Sequence, residues 1–177
     1  MPIIIETPRL IMKQFCKADA KYLFELNSDP DVTKYVGESA FSSMDEVYEL
    51  ISNYNQYEKY GLGRLNMFDK QSSEYIGWCG LKYLEKEQYV DLGYRLLKRH
   101  WGNGYATEAA TASLEYGFDV LNLDKIIGKA MKENTASINV FKKLGLTYSH
   151  DDECGAHPGV VYVITKEEWK APPNPPR

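Results

Sequence analysis

The chain has 177 residues, 44% hydrophobic and 26% charged, which is room for one well-filled domain but little for two, and no apolar run approaches the roughly 20 residues that span a bilayer. Its net charge of −4 argues against a general nucleic-acid binder, because such domains carry a basic excess. Cys16, Cys79 and Cys154 are odd in number, widely spaced and without paired histidines, which speaks against a disulfide framework or a zinc site and predicts reduced thiols and no metal. The first ten residues, MPIIIETPRL, lack the pattern of a secretory signal, so a cytoplasmic protein is expected, with no membrane and no nucleic acid among its partners.

In chain order, Ala20, Leu23, Phe24 and Leu26 recur at helical spacing and predict a helix over 18–27, stopped by NSDPD. Ser43 and Glu46 are spaced as a capping box for a second helix with Val47, Leu50, Ile51 and Tyr54 on one face. From Gly63 to Leu97 runs of Tyr, Leu, Ile and Trp, broken at DKQSSE and LEKEQ, predict three antiparallel strands. A helix over 105–121 carries Ala110, Leu114, Phe118 and Leu121 on one stripe, and KIIGKAM reads as a strand. A short helix over 136–144 ends at Gly145, and final strands lie around LTYSH and GVVYVIT. The order predicts a mixed α/β (α+β) fold with a mostly antiparallel sheet flanked by helices, one domain over 1–170 and an irregular proline-rich tail over 171–177.

The segment KRHWGNG, between the third meander strand and the helix from Tyr105, leaves backbone N–H groups at a helix start without internal partners. Gly102 and Gly104 remove side chains there, and Lys98 and Arg99 add positive charge. Residues 95–143 carry a local excess of +3, which leaves −7 elsewhere. An anion would suit this loop, but two glycines also make a tight turn. A Walker loop is excluded by Tyr105 and Ala106 after Gly104, and a dinucleotide fingerprint would need Gly or Ala where Thr107 stands.

LGYRLLKRHWGNGYATEAA followed by NTASINVFKKLGLTY resembles the GNAT superfamily of acyl-CoA-dependent N-acetyltransferases, in particular the branch of the ribosomal-protein N-terminal (RimJ/RimL-like) acetyltransferases. TPRLIMKQF, DPDVTKYVG, YIGWCGL and VVYVITKEEW fall in the order of that branch's segments, so the resemblance covers nearly the whole chain. It implies a splayed GNAT sheet, acetyl-CoA as cofactor and direct acetyl transfer to a primary amine, either a peptide N-terminus or a small molecule. A non-catalytic acyl-CoA-binding sensor or scaffold is the alternative, and the assembly is a monomer or a homodimer.

The resemblance places the pyrophosphate of coenzyme A on main-chain donors of Trp101, Gly102, Asn103, Gly104, Tyr105, Ala106 and Thr107, with Trp101 departing from the family's usual Gln or Arg. It places the pantetheine arm along the backbone of Tyr94, Arg95 and Leu96, with Asn134 and Ser137 facing the pantetheine and the sulfur. Asn and Ser at that point also read as helix caps. Phe141 occupies the position where many relatives have a proton-donating Tyr, so it is expected to pack beside the cofactor, with Ser137 as the candidate acid and Tyr148 behind it.

Strand alternation puts Asp91 on the face of Gly93 and Arg95, which makes it a candidate proton acceptor or an ion-pair partner. His100, His150 and His157 read as surface residues. The acids outside the cofactor segment, Glu6, Asp19, Asp29, Asp31, Glu38, Asp151, Asp152 and Glu153, predict a neutral or basic acceptor. It would be held between Val36–Ser43 and the stretch at Asp151.

Overall fold

Short runs rich in branched and aromatic residues form eight strands in the computed structural model, which describes residues 2–170. They are β1 (Ile4–Glu6), β2 (Leu10–Gln14), β3 (Arg64–Asp69), β4 (Tyr75–Leu84), β5 (Tyr89–Leu96), β6 (Lys125–Met131), β7 (Thr147–Cys154) and β8 (His157–Thr165). One sheet joins them in the order β1-β2-β3-β4-β5-β6-β8-β7, antiparallel throughout except between β5 and β6. The three-stranded meander and the last two strands stand where the sequence predicts them. The proline-rich tail lies outside the described residues.

Four helices fall between β2 and β3: α1 (Ala20–Ser28), α2 (Pro30–Thr33), α3 (Met44–Asn53) and α4 (Gln56–Tyr60). Ala20, Leu23 and Val47 close a small core there with Trp78 packed against it. Leu50, expected on the buried face of α3, is exposed, because α1 covers only the side that Val47 presents. The capping box is displaced by one residue. Ser43 Oγ accepts from Glu46 N, but the Glu46 carboxylate takes the N–H and hydroxyl of Ser42.

The opposite face is covered by α5 (Tyr105–Glu115) and α6 (Thr135–Lys143), and α7 (Lys166–Lys170) follows β8. Ala109, Ala110, Leu114 and Phe118 are fully buried in one core with Leu65, Met67, Cys79, Leu81 and Leu92 of the sheet. The predicted helix over 105–121 is not α-helical to its end, since Tyr116–Val120 form a wider π turn. A Cβ on Gly117 would meet the end methyls of Ile126 at 2.7 Å and Leu81 at 2.9 Å, so this turn lies close against the sheet and a larger residue would push those side chains aside. Gly145 ends α6 in the left-handed region with φ 87°, as predicted. All three cysteines are free thiols. Burial pushes the Cys79 thiol up to about 11 and keeps it protonated.

Candidate functional site: a splayed strand edge beside a glycine loop

The parallel contact between β5 and β6 is limited to Asp91 opposite Ile127. Beyond it the strands diverge and β5 keeps an open edge. Leu97 donates its N–H to Ile76 O at 3.0 Å, so in this antiparallel register the odd-numbered residues of β5 turn their peptide groups to β4. Tyr94 and Leu96 therefore turn theirs to the open edge. Trp101 Nε1 donates to Leu96 O at 2.9 Å from that side, which leaves the N–H of Leu96 and both peptide groups of Tyr94 for a ligand.

The loop after β5 delivers further donors to the same place. Gly104 is the N-cap of α5 and offers no side-chain cap, and among the described residues no hydrogen bond falls on the N–H of Gly102, Asn103 or Gly104. Gly102 and Gly104 have φ 73° and 78°, which other L residues rarely adopt. A Cβ on Gly102 would meet nothing within 4 Å, so the position is required by its backbone and leaves space in front of it. Free N–H groups, the positive end of α5 and open space fit an anionic group such as a pyrophosphate.

A cavity of about 350 Å³ connects edge and loop. Its lining includes Tyr94, Arg95, Leu96, Trp101, Gly102, Gly104, Tyr105, Ala106, Thr107, Asn134 and Ser137, all of them picked out in the sequence. Asn134 also caps α6, its Oδ1 accepting from Ser137 N at 3.2 Å, so capping and lining coincide. Burial raises the Tyr94 phenol above its ordinary value and keeps it protonated, with its hydroxyl 3.4 Å from Ser137 O. Tyr148 is exposed and donates its hydroxyl to Asp151 Oδ1 at 3.0 Å, away from the cavity, and three further expected site residues are not brought to it. Asn103 turns its amide inward to His100 O and Trp101 O. Phe141, 2% exposed, lies under Gly128 among the aromatic rings of Tyr94 and Tyr162, where it cannot flank a ligand. Asp91 is the third.

The Asp91 carboxylate is held by the Arg64 guanidinium, whose Nη1 also donates to Asp91 O at 3.0 Å. Arg64 lies across Gly93, where a Cβ would meet its Nη2 at 2.6 Å, and it stacks with Arg95 on the ring of Trp78. Burial raises the Asp91 carboxyl and Arg64 opposes that rise. Arg95, beside them, bonds Asn27 Oδ1 and stands 3.5 Å from Glu38, while its Nε is buried without a partner.

Other lining residues were not visible as site residues: Val32, Tyr35, His100, Ala136, Val140 and Lys143. The last three carried a signal, since positions 136, 140 and 143 recur at helical spacing and share one face of α6. His100 is buried at 9% exposure beneath the loop, not at the surface as expected, whereas His150 and His157 are exposed.

Six of the eight acids expected to set a field outside this segment are ion-paired. Glu6 pairs with Lys70, Asp19 with Lys13, Asp31 with Lys98, Glu38 with Arg95, Asp151 with Lys132 and Asp152 with Lys129. The 36–43 segment does reach the β7–β8 hairpin, with Gly37 packed against Cys154 and Gly155.

Glu108, in the first turn of α5, anchors the loop to the β1–β2 turn through Thr7 and Arg9. Burial works against its charge, but the hydrogen bonds from Thr7 and Arg9 outweigh it and hold the carboxyl below its ordinary value. Glu108→Ala is expected to lower the unfolding free energy by about 2–3 kcal/mol near neutral pH, as loss of hydrogen bonds to a charged acceptor does. A depressed folded pKa contributes stability above the unfolded value and loses it as pH falls through the folded one. The gap between variant and wild type in urea melts should therefore narrow below about pH 4. A gap that stays constant in acid would show that the charge of Glu108 is not what holds the anchor.

A family model described as the acetyltransferase (GNAT) domain matches residues 9–147. The chain is 34% identical over 171 residues to the uncharacterised N-acetyltransferase p20 of Bacillus licheniformis, covering 92% of this chain and 96% of that protein. The fold is similar to that of a GNAT-family acetyltransferase from Bacillus anthracis, with TM-score 0.80, 24% identity and coverage of 93% of this chain and 99% of the other. It is also similar to spermidine N-acetyltransferase from Vibrio cholerae in complex with CoA and spermine, with TM-score 0.76, 21% identity and coverage of 90% and 97%. No helix among the described residues is long and apolar enough to cross a membrane.

Proposed function

Because the chain belongs to the GNAT family and is an N-acetyltransferase that uses acetyl-CoA, we propose that it acetylates the primary amine of a small molecule at the splayed end of β5. The carrying observation is that the outward peptide groups of Tyr94 and Leu96 and the free donors of Gly102 and Gly104 open on one cavity. Bound acetyl-CoA supplies an activated acetyl thioester. In this reading Tyr94 pairs its N–H and C=O with the extended arm, as a neighbouring strand would. The N–H of Leu96 faces the acetyl oxygen as it gains charge. Gly102, Gly104 and the first turn of α5 hold the phosphates, and Lys143 adds a positive charge at the rim.

Ser137 is the proton donor for the sulfur in this reading. Its hydroxyl is free among the described residues, and Phe141, buried away from the cavity, cannot serve. Thiolate leaves readily, so Ser137→Ala is expected to lower kcat by no more than about tenfold, below the usual range of a required acid, with the KM for acetyl-CoA nearly constant. A loss of several hundredfold would make the hydroxyl indispensable, and an unchanged kcat would remove it from the reaction.

Tyr35, Val36 and Arg95 wall the end of the cavity where the amine would enter. A small acceptor is favoured by the spermidine acetyltransferase likeness. The resemblance of the sequence to the ribosomal-protein N-terminal acetyltransferases keeps peptide N-termini in the test set. The experiment is to measure release of CoA thiol with polyamines, amino acids, amino sugars and short peptides. Turnover with a small amine and not with peptides is the expected result. Peptide-only turnover would overturn the small-acceptor reading. Tight acetyl-CoA binding with no turnover on any amine would favour the non-catalytic acyl-CoA-binding alternative.

A further inference from the structure

Three bonds to the Glu108 carboxylate, from Thr7 Oγ1 at 2.6 Å, Arg9 N at 2.9 Å and Arg9 Nε at 2.6 Å, fix the Arg9 guanidinium beside the glycine loop. There Arg9 Nη1 donates to Asn103 O at 2.9 Å, and the guanidinium lies 4.3 Å from the centre of the Tyr105 ring. A trans peptide unit holds its C=O and N–H in opposite directions. With the carbonyl of Asn103 drawn to Arg9, the N–H of Gly104 in the same peptide unit is turned the other way. The Asn103 side chain acts likewise two residues earlier. Its Nδ2 donates to Trp101 O at 3.3 Å, which turns the N–H of Gly102 away from that amide. Gly102 and Gly104 line the cavity and Asn103 does not.

We propose that Arg9, held in place by Glu108, is a positioning residue for coenzyme A. By fixing the Asn103 carbonyl on the outer side of the loop it keeps the Gly104 N–H aimed at the pyrophosphate, and Asn103 does the same for Gly102. This rests on the reading of the loop as the pyrophosphate site. Without Arg9, the Asn103–Gly104 peptide is free to rotate, because the glycine opposes the rotation with no side chain. A carbonyl oxygen then faces the phosphates in part of the population. The effect is confined to ligands that carry the phosphates.

The test is calorimetric binding of two probes to the ligand-free protein: CoA, and pantetheine, which ends before the phosphates. Wild type should bind CoA far more tightly than pantetheine. Arg9→Met, which keeps a chain of similar reach, should reduce the ratio of the two affinities by about tenfold, the scale of one lost hydrogen bond to a charged group. Arg9→Lys should regain part of it, since an ammonium can also donate to Asn103 O. Asn103→Ala should lower the same ratio while leaving the Arg9–Glu108 pair intact, which keeps the test informative if Arg9→Met folds poorly. A purely structural role would weaken both probes together and leave the ratio unmoved, and that outcome overturns the proposal. If wild type itself fails to prefer CoA over pantetheine, the loop is not the phosphate site and the proposal falls with it.

Discussion

Thr107→Asp is expected to abolish the stabilisation that acetyl-CoA gives the folded protein while leaving the ligand-free melting temperature unchanged or slightly raised. Thr107 is the third residue of α5 and lines the cavity in front of the glycine loop. An acid in the first turn of a helix meets the positive end of its dipole and favours folding by about 0.3–1 kcal/mol. The same carboxylate about 4 Å from a phosphate oxygen would cost about 4 kcal/mol at an effective dielectric of 20, or nearly 1000-fold in affinity. Wild type at about one hundred times its dissociation constant gains about 2.7 kcal/mol from the ligand, and the variant at that concentration gains almost nothing. Thermal melts with and without acetyl-CoA measure both effects at once. A variant that still shifts on adding acetyl-CoA would place the phosphates elsewhere.

The second large effect is on stability and concerns the buried pair of Arg64 and Asp91. Asp91→Ala leaves the Arg64 guanidinium, with its side chain 12% exposed, without its carboxylate. Breaking a buried pair from one side costs about 3–5 kcal/mol, which for a chain of this size lowers the melting temperature by roughly 10 °C or more. Replacing both members, as Arg64→Met with Asp91→Leu, should recover most of that loss, because no unpaired charge remains. The carboxylate is committed to Arg64 and lies outside the cavity, so turnover per folded molecule in Asp91→Asn is expected to stay within about tenfold of wild type. A loss of 100- to 10,000-fold in fully folded Asp91→Asn, the range of a general base, would instead make this carboxylate the proton acceptor. Wild-type stability in Asp91→Ala would show that Arg64 does not depend on it.

What could be read from the sequence alone was what depends on near neighbours along the chain. Helical spacing found α1 and α5, a terminal glycine marked the end of α6, alternation and turn residues found the β3–β5 meander, and Gly102 and Gly104 before a helix marked a place with unpaired donors. The resemblance then supplied a ligand for that place, and most of the residues it named do share one cavity. The tertiary structure decided which groups can reach a ligand, because that depends on partners far apart in sequence. Phe141 lost its place beside the cavity to Gly128, whose missing side chain lets the ring sink into the core. Asp91 was claimed by Arg64, 27 residues away, and four of the acids expected to set an acidic field pair with lysines and an arginine on other elements. Arg9 and Glu108 stand 99 residues apart and show no pattern in the sequence, yet their contact lies against the glycine loop. Local periodicity records which face of an element is apolar. The outward turn of the Tyr94 and Leu96 peptide groups follows only from pairing with β4 and divergence from β6, which no single strand encodes.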